Sequence, residues 1–325
     1  MREWKRAGAL LLSMALLAAA LCGCAARQTP EKAGEIDLTA ELAAAELVPL
    51  AGTAAVATTL MPVASGTDVR TNDKAAVDAS NPKDGYVMVK WLEGDSAKLK
   101  VIVTGPSGSK YTYNLSAKGN YEVFPLSDGS GAYQIGIYKN VSGTRYSVAF
   151  TTSVTAQLRD EFSPFLLPNQ YVNYKADSQV VKKAAELTKF CKDDLASIKA
   201  VYNYVISNFT YDKQRAATVQ SGYLPDLDAV LAAKKGICFD YAAVMTAMLR
   251  SQGIPCKLVV GYSGSVYHSW INAYTKEKGW ITNAIYFDGT QWKLMDPTFA
   301  STGKSSSAIM KYIGNGGNYT AKYLY

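Results

Sequence analysis

The sequence predicts an α+β fold in two parts: a small all-β sandwich, then a domain in which helices come first and an antiparallel sheet follows. Three observations carry this. Residues 84–156 hold short β-branched and aromatic runs at spacings of about ten residues, punctuated by glycine, asparagine and serine. From about residue 164, apolar residues recur at three- and four-residue steps, the period of a helix. After residue 256 the pattern turns to strands.

The chain has 325 residues, 48% of them hydrophobic and 19% charged, which is enough to bury the cores of about two domains. Its first six residues include Arg2, Lys5 and Arg6, and residues 7–21 are apolar apart from Gly8 and Ser13. This is the pattern of an export signal. It is too short, and too soon followed by polar residues, to read as a membrane span. It ends in Leu21-Cys22-Gly23-Cys24, which resembles a bacterial lipobox. The resemblance makes residues 1–23 a lipoprotein signal peptide and Cys24 the lipidated residue, anchoring the chain on the extracytoplasmic face of the cell membrane. An ordinary secretory signal cut after Cys24 is the alternative. Residues 24–80 lack aromatic residues and read as a flexible tether; a coil of that length spans about 40 Å.

The sandwich is expected over 84–156, with strands near 86–91, 98–103, 110–115, 121–126, 133–138 and 146–154. Its residues suggest a spacer or a binding module. The high tyrosine count, 22 against 9 phenylalanines, suits half-buried β surface. Residues 164–325 form the second domain. Helices are expected at 178–191, after Asp193 or Asp194 as a cap, at 227–234 with Gly236 as the stop, and at 238–251. Strands follow at 256–262, 267–274, 279–287 and 291–295, and the final NYTAKYLY reads as a closing edge strand.

The net charge is +7, of which Arg2, Lys5, Arg6 and Glu3 supply +2. The rest is spread without a run of five or six like charges, so a nucleic-acid partner is not expected. One histidine with scattered cysteines cannot make an ordinary zinc site, and the sequence has neither a calcium loop nor a glycine-rich phosphate loop. No cofactor and no metal are expected. Beyond the leader lie Cys191, Cys238 and Cys256; an odd number outside the cell suggests a free thiol with a task. Cys191 and Cys256 could pair, or both could be buried apolar side chains.

Cys238 follows Gly236-Ile237 and opens an apolar helix. The unpaired N–H groups of a helix start stabilise a thiolate and can donate to an oxyanion beside the sulfur. A cysteine there also suits plain packing. His268 is the sequence's only histidine and lies 30 residues further on, in a run whose alternation puts Trp270 on the same face. A thiol nucleophile needs a base, and imidazole supplies one near neutral pH. Asp296 comes 28 residues later, at the end of an apolar run and before Pro297. It suits a turn, or a partner that fixes the imidazole tautomer.

The segments KKGICFDYAAVMTAMLRSQGIPCKLVVGY, YHSWINAY and WKLMDPTFA, with VYNYVISNFTYD upstream, resemble the transglutaminase-like superfamily in its bacterial form over roughly residues 175–300. The resemblance implies a papain-like, transglutaminase-core fold and a catalytic triad of Cys238, His268 and Asp296. Such proteins include cross-linkers, deamidases, peptidases and amide hydrolases, so the substrate does not transfer. The resemblance also implies an oxyanion hole made by the Cys238 N–H and an upstream side chain, Tyr211 or Asn208, with Tyr211 preferred. Trp270 would shield the imidazole from water, although core packing would place it there too. The expectation is a surface-tethered cysteine acyl-transfer enzyme acting on protein or peptide amides through a thioester, cell-wall peptide among its substrates. The alternative is a catalytically silent binding or scaffold module of the cell envelope.

Overall fold

A computed structural model of the protein describes residues 59–281 and 318–325. Among the described residues, eight strands come first: β1 (Val69–Thr71), β2 (Ala75–Asp78), β3 (Tyr86–Trp91), β4 (Leu99–Thr104), β5 (Lys110–Asn114), β6 (Glu122–Pro125), β7 (Gly131–Ser142) and β8 (Arg145–Ala156). They form two antiparallel sheets, in the orders β1-β2-β3-β6 and β5-β4-β7-β8. In β4 the apolar Leu99, Val101 and Val103 are buried, while Lys100, Ile102 and Thr104 are half-buried; the period-two pattern turns one face inward. Val77, Val89 and Trp91 of one sheet share a core with Val101, Ile135 and Ile137 of the other.

The tether expected over 24–80 is corrected at its end, because β1 and β2 fall inside it. All four residues of β2 are buried. Its Ala-Ala-Val run is small enough to pack on both faces, and an alanine-rich composition hid it. Asp78, also buried, accepts from the N–H groups of Gly66 and Ser80 at 2.8 and 2.9 Å, which ties the preceding chain to the sheet.

Five helices follow among the described residues. α1 (Gln179–Thr188) has its first N–H groups, those of Gln179 and Val180, capped by the Asp228 carboxylate from a distant segment. α2 (Asp194–Asn208) is capped by Asp193, which accepts from the Ala196 N–H. α3 (Lys213–Thr218) and α4 (Leu227–Ala233) are capped in the same way by Asp212 and Asp226. The stop of α4 is a correction. Lys234, not Gly236, takes the left-handed conformation, with φ of 49°. Gly236 is needed for another reason: a Cβ there would lie 2.6 Å from the Cβ of Asp240.

α5 (Cys238–Ser251) is the centre of the second half. Every residue from Asp240 to Ser251 is buried. A helix buried around its whole circumference needs neighbours on all sides; here they are α1, α2, α4 and a sheet. That sheet holds β11 (Cys256–Ser263), β12 (Val266–Thr275), β13 (Gly279–Ile281) and β14 (Tyr319–Leu324), in the antiparallel order β13-β12-β11-β14. The strand expected at 279–287 is described only to Ile281, and the one expected at 291–295 lies outside the described residues. β14 is the expected closing strand. It pairs with β11 through a register shift at Val260/Gly261, and a Cβ on Gly261 would overlap the Thr320 carbonyl.

Arg250, near the end of α5, is 1% exposed and donates to three main-chain oxygens: Cys256 at 2.8 Å, Leu167 at 2.7 Å and Tyr325 at 2.6 Å. These belong to the start of β11, the segment leaving the sandwich, and the residue after β14. Arg250→Lys keeps the charge but replaces the planar fork with a single ammonium. At least one of these oxygens then loses the guanidinium's hydrogen bond, and stability falls by roughly 1–3 kcal/mol. Urea denaturation measures it; an unchanged midpoint contradicts the clamp.

Candidate active site

The start of α5 is set by a short parallel pair of strands. β9 (Thr210–Tyr211) runs beside β10 (Lys235–Gly236), with Tyr211 opposite Gly236. The Thr210 N–H donates to Lys234 O at 2.9 Å, and the Asp212 N–H to Gly236 O at 2.8 Å. Ile237 is the extended residue before the helix, and Cys238 is the first residue within it. Asp240, wholly buried in the first turn, accepts from the Ile237 N–H at 2.9 Å and the Tyr223 hydroxyl at 2.8 Å. The Arg215 guanidinium stands 3.4 Å from the same carboxylate. Burial, with Asp240 beside it, pushes the Tyr223 phenol well above its ordinary pKa, so it stays a donor. Asp240 therefore fixes the helix start and ties down the 212–223 segment.

His268 lies in β12 opposite Gly261 and is 6% exposed. Trp270 projects on the same face; the two rings are 6.4 Å apart with planes at 23°. Tyr319 of β14 stands 6.5 Å from the imidazole and 5.2 Å from the indole, so His268 sits on an aromatic bed. Because α5 packs against β12, the helix start and the imidazole face a common space.

That space is a cavity of about 450 Å³. Cys238, His268 and Tyr211 all line it. A thiol at a helix start and an imidazole in one cleft are the parts of a nucleophile and its base. Trp270 lies beside His268, where shielding or core packing would put it. The Asn208 amide donates back to the Tyr204 carbonyl at 2.8 Å, a local helix contact. Asp296 and Cys24 lie outside the described residues.

The reading from sequence missed Asp240, Arg215 and Tyr223. A carboxylate two residues after Cys238 was the only signal, and its partners lie 25 and 17 residues upstream. It also missed Tyr171, Tyr267 and Tyr325, which line the same cavity.

Among the described residues, Cys191 and Cys256 form no disulfide. Cys256 is buried, its thiol 3.7 Å from Thr246 Oγ1, and burial pushes its pKa up to about 12. Burial also raises Cys191, whose thiol donates to Leu187 O at 3.8 Å. Among the described residues, no group of three or more His, Cys, Asp or Glu could hold a metal. Among the same residues, no helix is long and apolar enough to cross a membrane.

Residues 181–284 match the model of the transglutaminase-like superfamily. The chain carries a transglutaminase-like domain. Its matched span includes both Cys238 and His268. The chain is 27% identical over 203 residues to the uncharacterized protein YebA of Bacillus subtilis (strain 168), covering 53% of this chain and 26% of that protein. It is 26% identical over 117 residues to the kyphoscoliosis peptidase of Mus musculus, covering 36% of this chain and 17% of that protein. The chain thus spans about a quarter or less of the length of these curated relatives. Among solved structures, the periplasmic domain of TgpA from Pseudomonas aeruginosa is similar with a TM-score of 0.35 and 15% identity, over 65% of this chain and 93% of that one. Red sea bream transglutaminase is similar with a TM-score of 0.26 and 13% identity, over 70% of this chain and 53% of that one.

The transglutaminase-like domain makes a prediction about its thiols. A neutral thiol does not alkylate, and Cys256, with its pKa near 12, stays neutral at pH 8. Iodoacetamide at pH 8 should label the half-buried Cys238 first, Cys191 more slowly, and Cys256 only after unfolding. Peptide mapping by mass spectrometry reads the order; early labelling of Cys256 contradicts this packing.

Proposed function

We propose that this chain is a cysteine acyl-transfer enzyme acting on protein or peptide amide bonds through a thioester on Cys238. One observation carries the reading: Cys238, at the start of a buried helix, and the sequence's only histidine line the same cavity. In the proposed reaction, His268 removes the Cys238 proton and the sulfur attacks the amide carbonyl. The oxyanion so formed takes donors from the helix start and from Tyr211. The C–N bond then breaks, ammonia or an amine leaves with the proton from His268, and the acyl group stays on sulfur. Water or an amine resolves the thioester, giving hydrolysis or deamidation in one case and a cross-link in the other. The peptidase among the relatives supports water as an acceptor. Asp296 is assigned the third place in the triad, accepting the second imidazole N–H to hold its tautomer.

The proposal includes location. Cys24 carries the lipid, and the enzyme works at the extracytoplasmic face of the membrane on proteins or peptides of the envelope.

Cys238→Ala should lower kcat/KM for a glutamine-peptide amide by about a thousandfold or more, and His268→Ala by a similar factor. Steady-state ammonia or amine release measures it; full turnover by Cys238→Ala sinks the mechanism. Cys24→Ala should move the protein from the membrane to the soluble fraction of cells, as read by blotting after fractionation. An unchanged membrane share contradicts the anchor.

A further inference from the structure

We infer that the cleft selects its acyl donor by an uncharged aromatic or large apolar side chain next to the reacting amide, and that the β-sandwich braces the wall that reads it. This deepens the acyl-transfer reading and rests on it.

The first observation is charge. Among the described residues, no Asp, Glu, Lys or Arg lines the cavity that holds Cys238 and His268. A charged side chain entering it loses hydration and meets no counter-charge there.

The second is the wall. Phe239, next to the nucleophile, meets the Tyr171 ring edge-on at 5.6 Å, and Tyr171 meets Tyr325 at 4.5 Å. Tyr267 closes the same side from β12. Burial pushes the Tyr171 phenol up to about 12 and raises Tyr267 and Tyr325 as well. The wall is therefore neutral throughout the working pH range, with ring faces and edges to offer an incoming ring.

The third is support. Tyr113 of β5, 1% exposed, stacks on Tyr171 at 5.6 Å with planes at 29° and meets Tyr325 edge-on at 5.8 Å. The Tyr171 hydroxyl reaches the Thr112 carbonyl at 3.4 Å. The Gln170 side chain bonds both backbone groups of Asn114 at the end of the same strand. Arg250 holds the Tyr325 main-chain oxygen from behind. A wall fixed from the sandwich side is pre-organised, so a substrate ring does not have to order it. Of the two roles expected for the sandwich, spacer or binding module, these contacts support the second.

The fourth is the mouth. Val266 is 64% exposed and Tyr267 57% exposed, at the turn of the β11–β12 hairpin. An open apolar rim beside a neutral cleft extends the surface on which such a side chain would land.

The test uses the full chain and a library of glutamine peptides with the residues on either side of the glutamine varied, read by ammonia release. Phe, Tyr, Leu or Met at the preferred flank should exceed Asp, Glu or Lys by at least about tenfold in kcat/KM. Tyr171→Ala should lose that preference through a higher KM more than a lower kcat. Should Tyr171→Ala fail to fold, Val266→Asp, at an exposed position, replaces it; it should narrow the gap between Phe- and Lys-flanked peptides by about tenfold. Cys238-dependent turnover with a flat profile, or one favouring charged flanks, overturns this inference and leaves the acyl-transfer reading standing. No Cys238-dependent turnover of any peptide sinks that reading, and this inference with it.

Discussion

One buried guanidinium ties together the transglutaminase-like half. Arg250 brings charge into a core and donates to three main-chain oxygens there. Burial opposes that charge and lowers its pKa from the ordinary arginine value. A planar fork is the side chain that can still serve three acceptors from one place. The three oxygens belong to segments far apart in sequence: the exit from the sandwich, the first strand after α5, and the residue after β14. Cys238 stands at the other end of the same helix, about 18 Å away along its axis. The position of Cys238 thus depends on a contact that never approaches it.

The near end of α5 is fixed by a second buried charge. Asp240 caps the helix and faces Arg215 and Tyr223. A carboxylate beside a helix start offsets part of the positive field that would favour a thiolate, so Asp240 serves geometry more than activation. Its setting makes Gly236 obligatory, because no Cβ fits between the turn and the carboxylate. The two ends of α5 share a plan in which a buried ion gathers distant chain segments around the helix.

How much of this was legible in the sequence follows from the range of each interaction. α5 and β12 were legible because their signals are local: a glycine before an apolar helical run, and alternation around the only histidine. Cys238 and His268 stood out by position and by scarcity, and Tyr211 came through resemblance alone. β2 was not legible, because small residues buried on both faces look like a tether. Lys234 was misjudged because a local rule prefers glycine as a helix stop, while Gly236 answers to the packing of Asp240. The aromatic wall was the least visible. Tyr171 and Tyr325 lie 154 residues apart and meet only once the sandwich and the terminal strand have packed. The final NYTAKYLY read as an edge strand, and Tyr319–Leu324 is one; the place of the Tyr325 ring in the cleft could not be seen from the chain.

The domain match gives a kind of fold, and the cavity shared by Cys238 and His268 supports the proposed acyl-transfer chemistry. The most direct measurement is intact-mass spectrometry of the full chain, quenched in acid during turnover of a glutamine peptide flanked by phenylalanine. The account predicts a covalent adduct equal to the peptide mass less ammonia, located on Cys238 and removed by hydroxylamine, as a thioester must be. Product formation with no adduct under rapid quench, together with undiminished turnover in Cys238→Ala, would contradict it.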